Sequence, residues 1–246
     1  MVTSALPTPQ TIFLDAVGTL FGIRGTVGEI YSHFAAEAGV KVDAQQLNQA
    51  FIESFLAAPR AAFPGVDPVD IPEHEFAWWQ AVADQSFTKV GVINQFANFD
   101  HFFHVLFDHF AKPDPWIVYP DVVPTLQRWQ EKGIQLGVIS NFDTRLHTVL
   151  EVLGLAPFFT SVTISTGVGA AKPQARIFEV AIAKHQCSPE QAIHIGDSWS
   201  EDYQGSIAAG LQGVWLYRKE DSIEPERASA ESITHLAELK FTSAAL

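Results

Sequence analysis

The sequence is poor in cysteine and in long apolar runs, and each shortage excludes a class of protein. Its 246 residues include one cysteine, Cys187, so an internal disulfide is excluded and we expect a reducing, cytoplasmic compartment. Because no apolar run approaches about 18 residues, we expect no membrane-spanning segment and no membrane partner. The first ten residues lack the positive charge and the apolar stretch of a signal peptide.

Positive charge is also scarce. Fifteen Lys and Arg stand against 28 Asp and Glu, which gives a formal net charge of −13. Since nucleic-acid binding needs a basic surface, we expect no nucleic-acid partner. The same charge repels phosphorylated small molecules at long range, so a site for them needs local cations from a metal ion or a placed lysine.

The chain does have the proportion of apolar side chains that is usual for a globular protein. Hydrophobic residues make up 47% of the sequence, with 16 Gly and 14 Pro. The length suits one large domain, or a core with a smaller inserted domain. Nothing in the pattern indicates an oligomeric state.

The predicted elements change character along the chain. Residues 11–14 form an apolar run typical of a buried strand. Helical patterns without a convincing strand then occupy residues 25–39, 44–57, 73–88 and 99–111. From residue 116 onward strands alternate with helices, with strands predicted at 134–140, 162–165, 192–195 and 213–217. Such alternation predicts an α/β fold, with a parallel sheet covered by helices on both faces.

Polar side chains stand at the ends of three predicted strands. Asp15 follows the first strand, Ser140 and Asn141 end the second, and Asp197 follows the fourth. Open α/β sheets place their functional sites at this edge. Each residue also has a plainer interpretation, because acids, serine and asparagine commonly cap helices or face solvent.

Two further residues extend the pattern. Lys172 precedes Pro173, which suits the first position of a helix, and a lysine there can balance negative charge. Asp202 follows Asp197 by about one helical turn, and Mg²⁺ usually takes one or two protein carboxylates as ligands. The plainer interpretations are a solvated lysine and a capped helix with an acidic first turn.

In this order, these residues resemble the four motifs of the haloacid dehalogenase (HAD) superfamily. Residues 15–19, Asp-Ala-Val-Gly-Thr, resemble motif I, and Ser140, Lys172 and Asp197 occupy the places of motifs II to IV. The resemblance covers nearly the whole chain. It implies a Rossmann-like core, residues 1–20 and 117–246, with an all-helical cap, residues 21–116, inserted after motif I.

The resemblance also implies a reaction, the hydrolysis of a small phosphorylated substrate through an aspartyl-phosphate intermediate. Asp15 would be the nucleophile, and Lys172 would neutralise the crowded anions. The implied phosphate-binding residues are Ser140, Asn141 and Thr19. The implied Mg²⁺ ligands are Asp15, the backbone carbonyl of Val17, Asp197 and Asp202.

Val17 departs from the phosphatase pattern, which has a second acid at this position. Valine can neither protonate a leaving group nor activate water. Dehalogenases of the superfamily also lack this acid, but they need no metal, which would leave Asp197 and Asp202 unexplained. We therefore rank a Mg²⁺-dependent phosphatase first and a 2-haloacid dehalogenase second. A third hypothesis is a catalytically weak protein that keeps the fold for binding.

One predicted cap helix carries metal-capable side chains on one face, His101, His104 and Asp108. The favoured interpretation is an amphipathic helix whose apolar residues supply the cap core. An earlier helix carries aromatic residues that either belong to that core or line the way to the site: Phe76, Trp78 and Trp79.

Overall fold

The computed structural model describes residues 6–218 and 232–242. Its strands in chain order are β1 (Leu6–Pro7), β2 (Thr11–Leu14), β3 (Phe21–Ile23), β4 (Trp116–Val118), β5 (Gln135–Ser140), β6 (Ser161–Ile164), β7 (Ala192–Gly196), β8 (Gln212–Leu216), β9 (Ser232–Ile233) and β10 (Phe241–Thr242). Its α-helices are α1 (Val27–Glu37), α2 (Ala44–Ala57), α3 (Ile71–Lys89), α4 (Phe99–His109), α5 (Val122–Glu131), α6 (Arg145–Val152), α7 (Ser165–Val168), α8 (Ala175–His185) and α9 (Gly205–Ala208).

A six-stranded parallel sheet forms the centre of the molecule, in the order β6-β5-β2-β7-β8-β9. Strand β2 lies inside it because its four residues are buried and carry no polar alternation. Ile12 and Leu14 pack into a large apolar cluster on one face, and Phe13 packs into a second cluster on the other. The predicted parallel sheet with helices on both faces is confirmed.

A helical insert, which we define as residues 24–115, contains α1 to α4 and has its own apolar core. Helix α1 begins at a capping box, in which Thr26 and Glu29 satisfy each other's backbone N–H groups. Asn98 caps α4 through its side-chain oxygen. Tyr31, Phe87 and Phe103 are among the buried residues that join these helices.

The prediction of a strand-free block over residues 21–116 is wrong at both ends. Strand β3 pairs antiparallel with β4, with Phe21 opposite Val118 and Ile23 opposite Trp116. Three residues are too few to show a period, and the pairing partner lies at the far side of the insert. The chain therefore leaves for the insert and returns from it through one two-stranded ribbon.

Two helical segments have further local features. The segment after β7 forms a π-helical turn, Trp199–Gln204, followed by the short α9. In α4, Phe102, Phe103 and Leu106 are buried, whereas Val105 is exposed. Among the described residues, no helix is both long and apolar enough to cross a bilayer.

Candidate active site

Three neighbouring strands bring the predicted site residues to one edge of the sheet. Because β2 lies between β5 and β7 and all three are parallel, their carboxyl ends meet there. Asp15 follows β2, Ser140 ends β5 and Asp197 follows β7. Lys172 arrives from the loop before α8, and its side chain is only 2% exposed. The structure thus brings together residues that are far apart in sequence.

The Lys172 ammonium lies between two carboxylates. Its Nζ donates to Asp15 Oδ1 at 2.7 Å and to Asp202 Oδ1 at 2.5 Å. Asp202 also accepts a hydrogen bond from the Ser198 backbone N–H at 3.0 Å, and its Oδ1 lies 2.8 Å from His194 Nε2. Every one of these contacts favours an ionised Asp202.

The three acids of the site lie close enough to share one cation. Single oxygen atoms of Asp15, Asp197 and Asp202 all lie within 4.8 Å of one another. Oxygen-only ligand sets of this kind suit hard cations such as Mg²⁺. Gly18, at φ +83°, belongs to this arrangement, because a Cβ atom there would overlap the Asp197 carboxylate. The residues present therefore fit the predicted metal.

The pKa values of the three buried carboxyl groups shift in different directions. Burial raises the pKa of Asp197 well above its usual range, and the negative charges of Asp15 and Asp202 raise it further. Burial also raises the pKa of Asp15, against the opposing charge of Lys172 and a hydrogen bond from Ser140. For Asp202, burial is outweighed by Lys172 and His194, so its pKa is lowered. An ionised acid thus lies beside acids that resist ionisation.

The two basic groups of the site shift in opposite directions. Burial lowers the pKa of Lys172, but Asp15 and Asp202 outweigh it and the pKa is raised, so the ammonium stays charged. For His194, which is fully buried, burial dominates and the pKa is lowered. A neutral imidazole beside ionised Asp202 donates from Nε2, and its buried Nδ1 then has no hydrogen-bond partner among the described residues. No sequence pattern pointed to this histidine.

The loop after Asp15 holds two predicted residues with different surroundings. Val17 is half-buried and packs against the large apolar cluster of the sheet. Thr19 is fully buried, and its hydroxyl has no hydrogen-bond partner among the described residues. Its carbonyl accepts a hydrogen bond from Arg218, which also forms a buried ion pair with Asp121. The metal-binding role of Val17 and the phosphate-binding role of Thr19 stay predictions.

The side-chain amide of Asn141 forms hydrogen bonds with other groups of the protein. Its Oδ1 accepts from the Lys172 backbone N–H at 2.7 Å, and its Nδ2 donates to the Lys172 carbonyl at 3.0 Å and to Glu201 Oε2 at 2.7 Å. Glu201 forms an ion pair with Arg60 of the helical insert. Neither Glu201 nor Arg60 was predicted, because contacts between distant segments leave no local signal.

The helical insert contacts the same edge of the sheet through Trp79. Its indole N–H donates to Asp143 Oδ2 at 2.7 Å. Arg145 pairs with the same carboxylate at 2.6 Å and lies over the Phe107 ring, 3.6 Å from its centroid. Trp79 therefore contacts the core as well as the apolar cluster of the insert.

A second contact of the insert with the core is a buried carboxylate, Glu75 of α3, which is 1% exposed. It accepts from the Thr144 backbone N–H at 2.9 Å and from the hydroxyls of Thr144 and Thr166 at 2.5 Å each. Burial raises the pKa of Glu75, against these hydrogen bonds. Together with Trp79, it fixes α3 against the core.

Between insert and core lies a narrow cleft with a cavity volume of about 30 Å³. Trp78 and Trp79 line the cleft, whereas Phe76 packs within the insert. His101, His104 and Asp108 are exposed on α4, and the metal-capable group found among the described residues is the one at Asp15.

An acid that follows a central strand of a parallel sheet, paired with a lysine and flanked by two further acids, is an arrangement typical of an α/β hydrolase. The sequence model described as haloacid dehalogenase-like hydrolase matches residues 9–210. The chain belongs to this family and is a HAD-like hydrolase, so the resemblance drawn from the motifs is confirmed.

Three similar proteins give this family membership more detail. Haloacid dehalogenase-like hydrolase domain-containing protein 3 of Bos taurus is 33% identical over 230 residues, which is 90% of each chain. Glyceraldehyde 3-phosphate phosphatase of Methanopyrus kandleri is 37% identical over 109 residues, 44% of this chain and 47% of that protein. A solved HAD phosphatase of Thermococcus onnurineus superposes with a TM-score of 0.63 at 22% identity, covering 94% and 95% of the two chains. Solved dehalogenases superpose equally well, so the fold alone does not separate the two activities.

Proposed function

We propose that the protein is a Mg²⁺-dependent phosphatase that hydrolyses a small phosphorylated metabolite through an aspartyl-phosphate on Asp15. The observation that carries the proposal is the group of three acids around one buried lysine. The helical insert, residues 24–115, would form the cap, and the chain on either side of it would form the catalytic core. The phosphatase among the similar proteins supports a phosphorylated substrate. The single cysteine supports a cytoplasmic location.

Asp15 is the nucleophile in this proposal. One of its oxygens forms a bond to phosphorus while the bond from phosphorus to the leaving oxygen breaks, and water later hydrolyses the acyl phosphate. Lys172 stays charged throughout and offsets the negative charge that gathers at the transferred phosphoryl group. Ser140, at the end of β5, would contact a phosphoryl oxygen with its hydroxyl.

Asp15, Asp197 and Asp202, with the Val17 carbonyl, would hold Mg²⁺. The ion supplies charge neutralisation for the phosphoryl oxygens when it is bound. Its ligands also lose their mutual repulsion, which matters most for Asp197 because burial and its neighbours disfavour its charged form. Closure of the helical insert over the cleft would exclude bulk water from the acyl phosphate.

Val17 favours a second candidate function, because dehalogenases of the superfamily also lack an acid at this position. In that reaction Asp15 attacks the carbon that bears the halogen, halide leaves, and water hydrolyses the resulting ester. No leaving-group proton is needed. A protein that binds ligands without turnover is the third possibility.

The test is hydrolysis of an aryl phosphate with millimolar Mg²⁺ by the wild type and by Asp15→Asn. The substitution keeps the shape and removes the attacking charge, so we expect activity to fall to background. Chloride release from a 2-haloacid in chelator would support the dehalogenase instead. Absent turnover of both substrates, with Mg²⁺ binding measured by calorimetry, would support a binding protein.

A further inference from the structure

Asn141 fixes the backbone of Lys172 at both of its polar groups. The amide of Asn141 accepts from the Lys172 N–H and donates to the Lys172 carbonyl. From this backbone position the Lys172 side chain reaches Asp15 and Asp202. A displacement of the peptide would therefore move the ammonium that neutralises the nucleophile.

The carboxylate of Glu201 reinforces the orientation that the Lys172 backbone gives to that amide. The amide of asparagine can be placed in two ways that exchange its oxygen and its nitrogen. With Nδ2 directed to Glu201 Oε2 at 2.7 Å, Oδ1 faces the Lys172 N–H. The reversed amide would place donor against donor at Lys172 N–H and acceptor against acceptor at Glu201. The charge of Glu201 therefore strengthens both contacts of Asn141 with Lys172.

Arg60 extends this series of contacts to the helical insert. It lies in the loop after α2 and forms an ion pair with Glu201, whose side chain is 16% exposed while that of Arg60 is 51% exposed. Such a half-exposed pair contributes little to overall stability. Its effect is local, because it holds the Glu201 carboxylate in the position from which Asn141 is oriented.

We infer that Glu201 is a positioning residue that couples the Arg60 loop of the helical insert to the main chain of Lys172 through Asn141. When the loop lies against the core, Arg60 holds Glu201, Glu201 orients Asn141, and Asn141 fixes Lys172. When the loop leaves, Glu201 loses its cation and Asn141 its oriented acceptor. The effect on turnover rests on the proposed function, whereas the coupling itself does not.

The coupling is measured by hydrogen exchange at the backbone amide of Lys172, within a peptide that covers residues 170–176. Glu201→Ala removes the acceptor, and we expect exchange to accelerate about tenfold, as for loss of one charge-assisted hydrogen bond. Arg60→Gln should accelerate it less, and the double variant should match Glu201→Ala alone. Lys89→Gln is the control, because it removes a cation about as exposed as Arg60 from an ion pair with Glu53 elsewhere in the insert.

Steady-state kinetics with an aryl phosphate provide the second readout. For Glu201→Ala we expect kcat to fall about tenfold with KM within about twofold, since the ammonium acts on the nucleophile. Glu201→Gln retains a carbonyl acceptor for Asn141 and should recover most of kcat. Unchanged exchange in Glu201→Ala, or additive effects of the Arg60 and Glu201 substitutions, would overturn the inference. An inactive wild type with the expected exchange pattern would overturn the proposed function alone.

Discussion

Replacing Asp197 by asparagine should stabilise the protein against unfolding when no divalent cation is present. The site holds three carboxylates and one ammonium, so its net charge is negative when all three acids are ionised. Asp197 is the acid whose charge is least supported, because its neighbours Asp15 and Asp202 both contact Lys172 and it does not. Asparagine keeps the shape of the side chain and removes the unfavourable charge.

The size of the effect follows from the spacing of the acids. Two like charges 4.8 Å apart repel by about 3.5 kcal/mol at an effective dielectric constant of about 20. Protonation of Asp197 relieves part of this repulsion, so we expect a gain of about 1–3 kcal/mol in the free energy of unfolding. For a chain of this length each kcal/mol raises Tm by about 2–4 °C.

The gain should depend on pH with a defined sign. The pKa of Asp197 is raised above its ordinary 3.8, so this group favours the folded state most below that value. Its contribution is lost as the pH rises through the folded-state pKa. The difference in unfolding free energy between Asp197→Asn and the wild type should therefore be larger at pH 8 than at pH 5.

Urea unfolding in chelator and in millimolar Mg²⁺ measures both parts of this prediction. Mg²⁺ should stabilise the wild type by mass action, about 2.7 kcal/mol at a hundred times its dissociation constant, and Asp197→Asn much less. Asp84→Asn makes the same chemical change on the exposed face of α3 and should shift stability by less than about 0.5 kcal/mol. The reasoning fails if Asp197→Asn destabilises the metal-free protein, or if Mg²⁺ stabilises both proteins equally.

Three further substitutions probe other parts of the structure. Val17→Asp should raise kcat/KM for an alkyl phosphate relative to an aryl phosphate by up to about 10²–10⁴-fold, because alkoxides need protonation to leave; an unchanged ratio would place the acid elsewhere. Arg218→Met leaves Asp121 buried without its cation, so urea unfolding should show a loss of about 3–5 kcal/mol, and a loss below about 1 kcal/mol would contradict a structural ion pair. Trp79→Phe keeps an aromatic ring but removes the indole N–H that donates to Asp143, and thermal unfolding should show a loss of about 1–2 kcal/mol rather than none.

The sheet and the strand ends could be predicted because they depend on local signals. Strand β2 is a short run of buried residues bounded by polar ones, and Asp15 directly follows it. Asp197 carries its own signal, an acid at a strand end. The proline signal for Lys172 was only roughly right, because Pro173 lies before Gln174, the N-cap of α8, and not at the first position of the helix. Once the strands are parallel and adjacent, such residues must meet at one edge.

Other parts of the site depend on partners that local patterns do not reveal. His194 occupies a buried strand position that an apolar residue would also fill, and its importance comes from Asp202 on the following turn. Glu201 acquires a role only when Arg60 and Asn141 are brought beside it by tertiary folding. Strand β3 was missed for the same reason, because three residues become a strand only through pairing with β4.

The ribbon of β3 and β4 makes the helical insert removable in principle. The last residue of β3, Ile23, is the pairing partner of the first residue of β4, Trp116. Strand ends in this register can be joined by a two-residue turn such as Asn-Gly, which would turn the ribbon into an ordinary hairpin. Because the insert has an apolar core of its own, its excision would leave the sheet's two apolar clusters largely intact. The connection is thus a natural point for exchanging one insert for another while the candidate site at the edge of the sheet is retained.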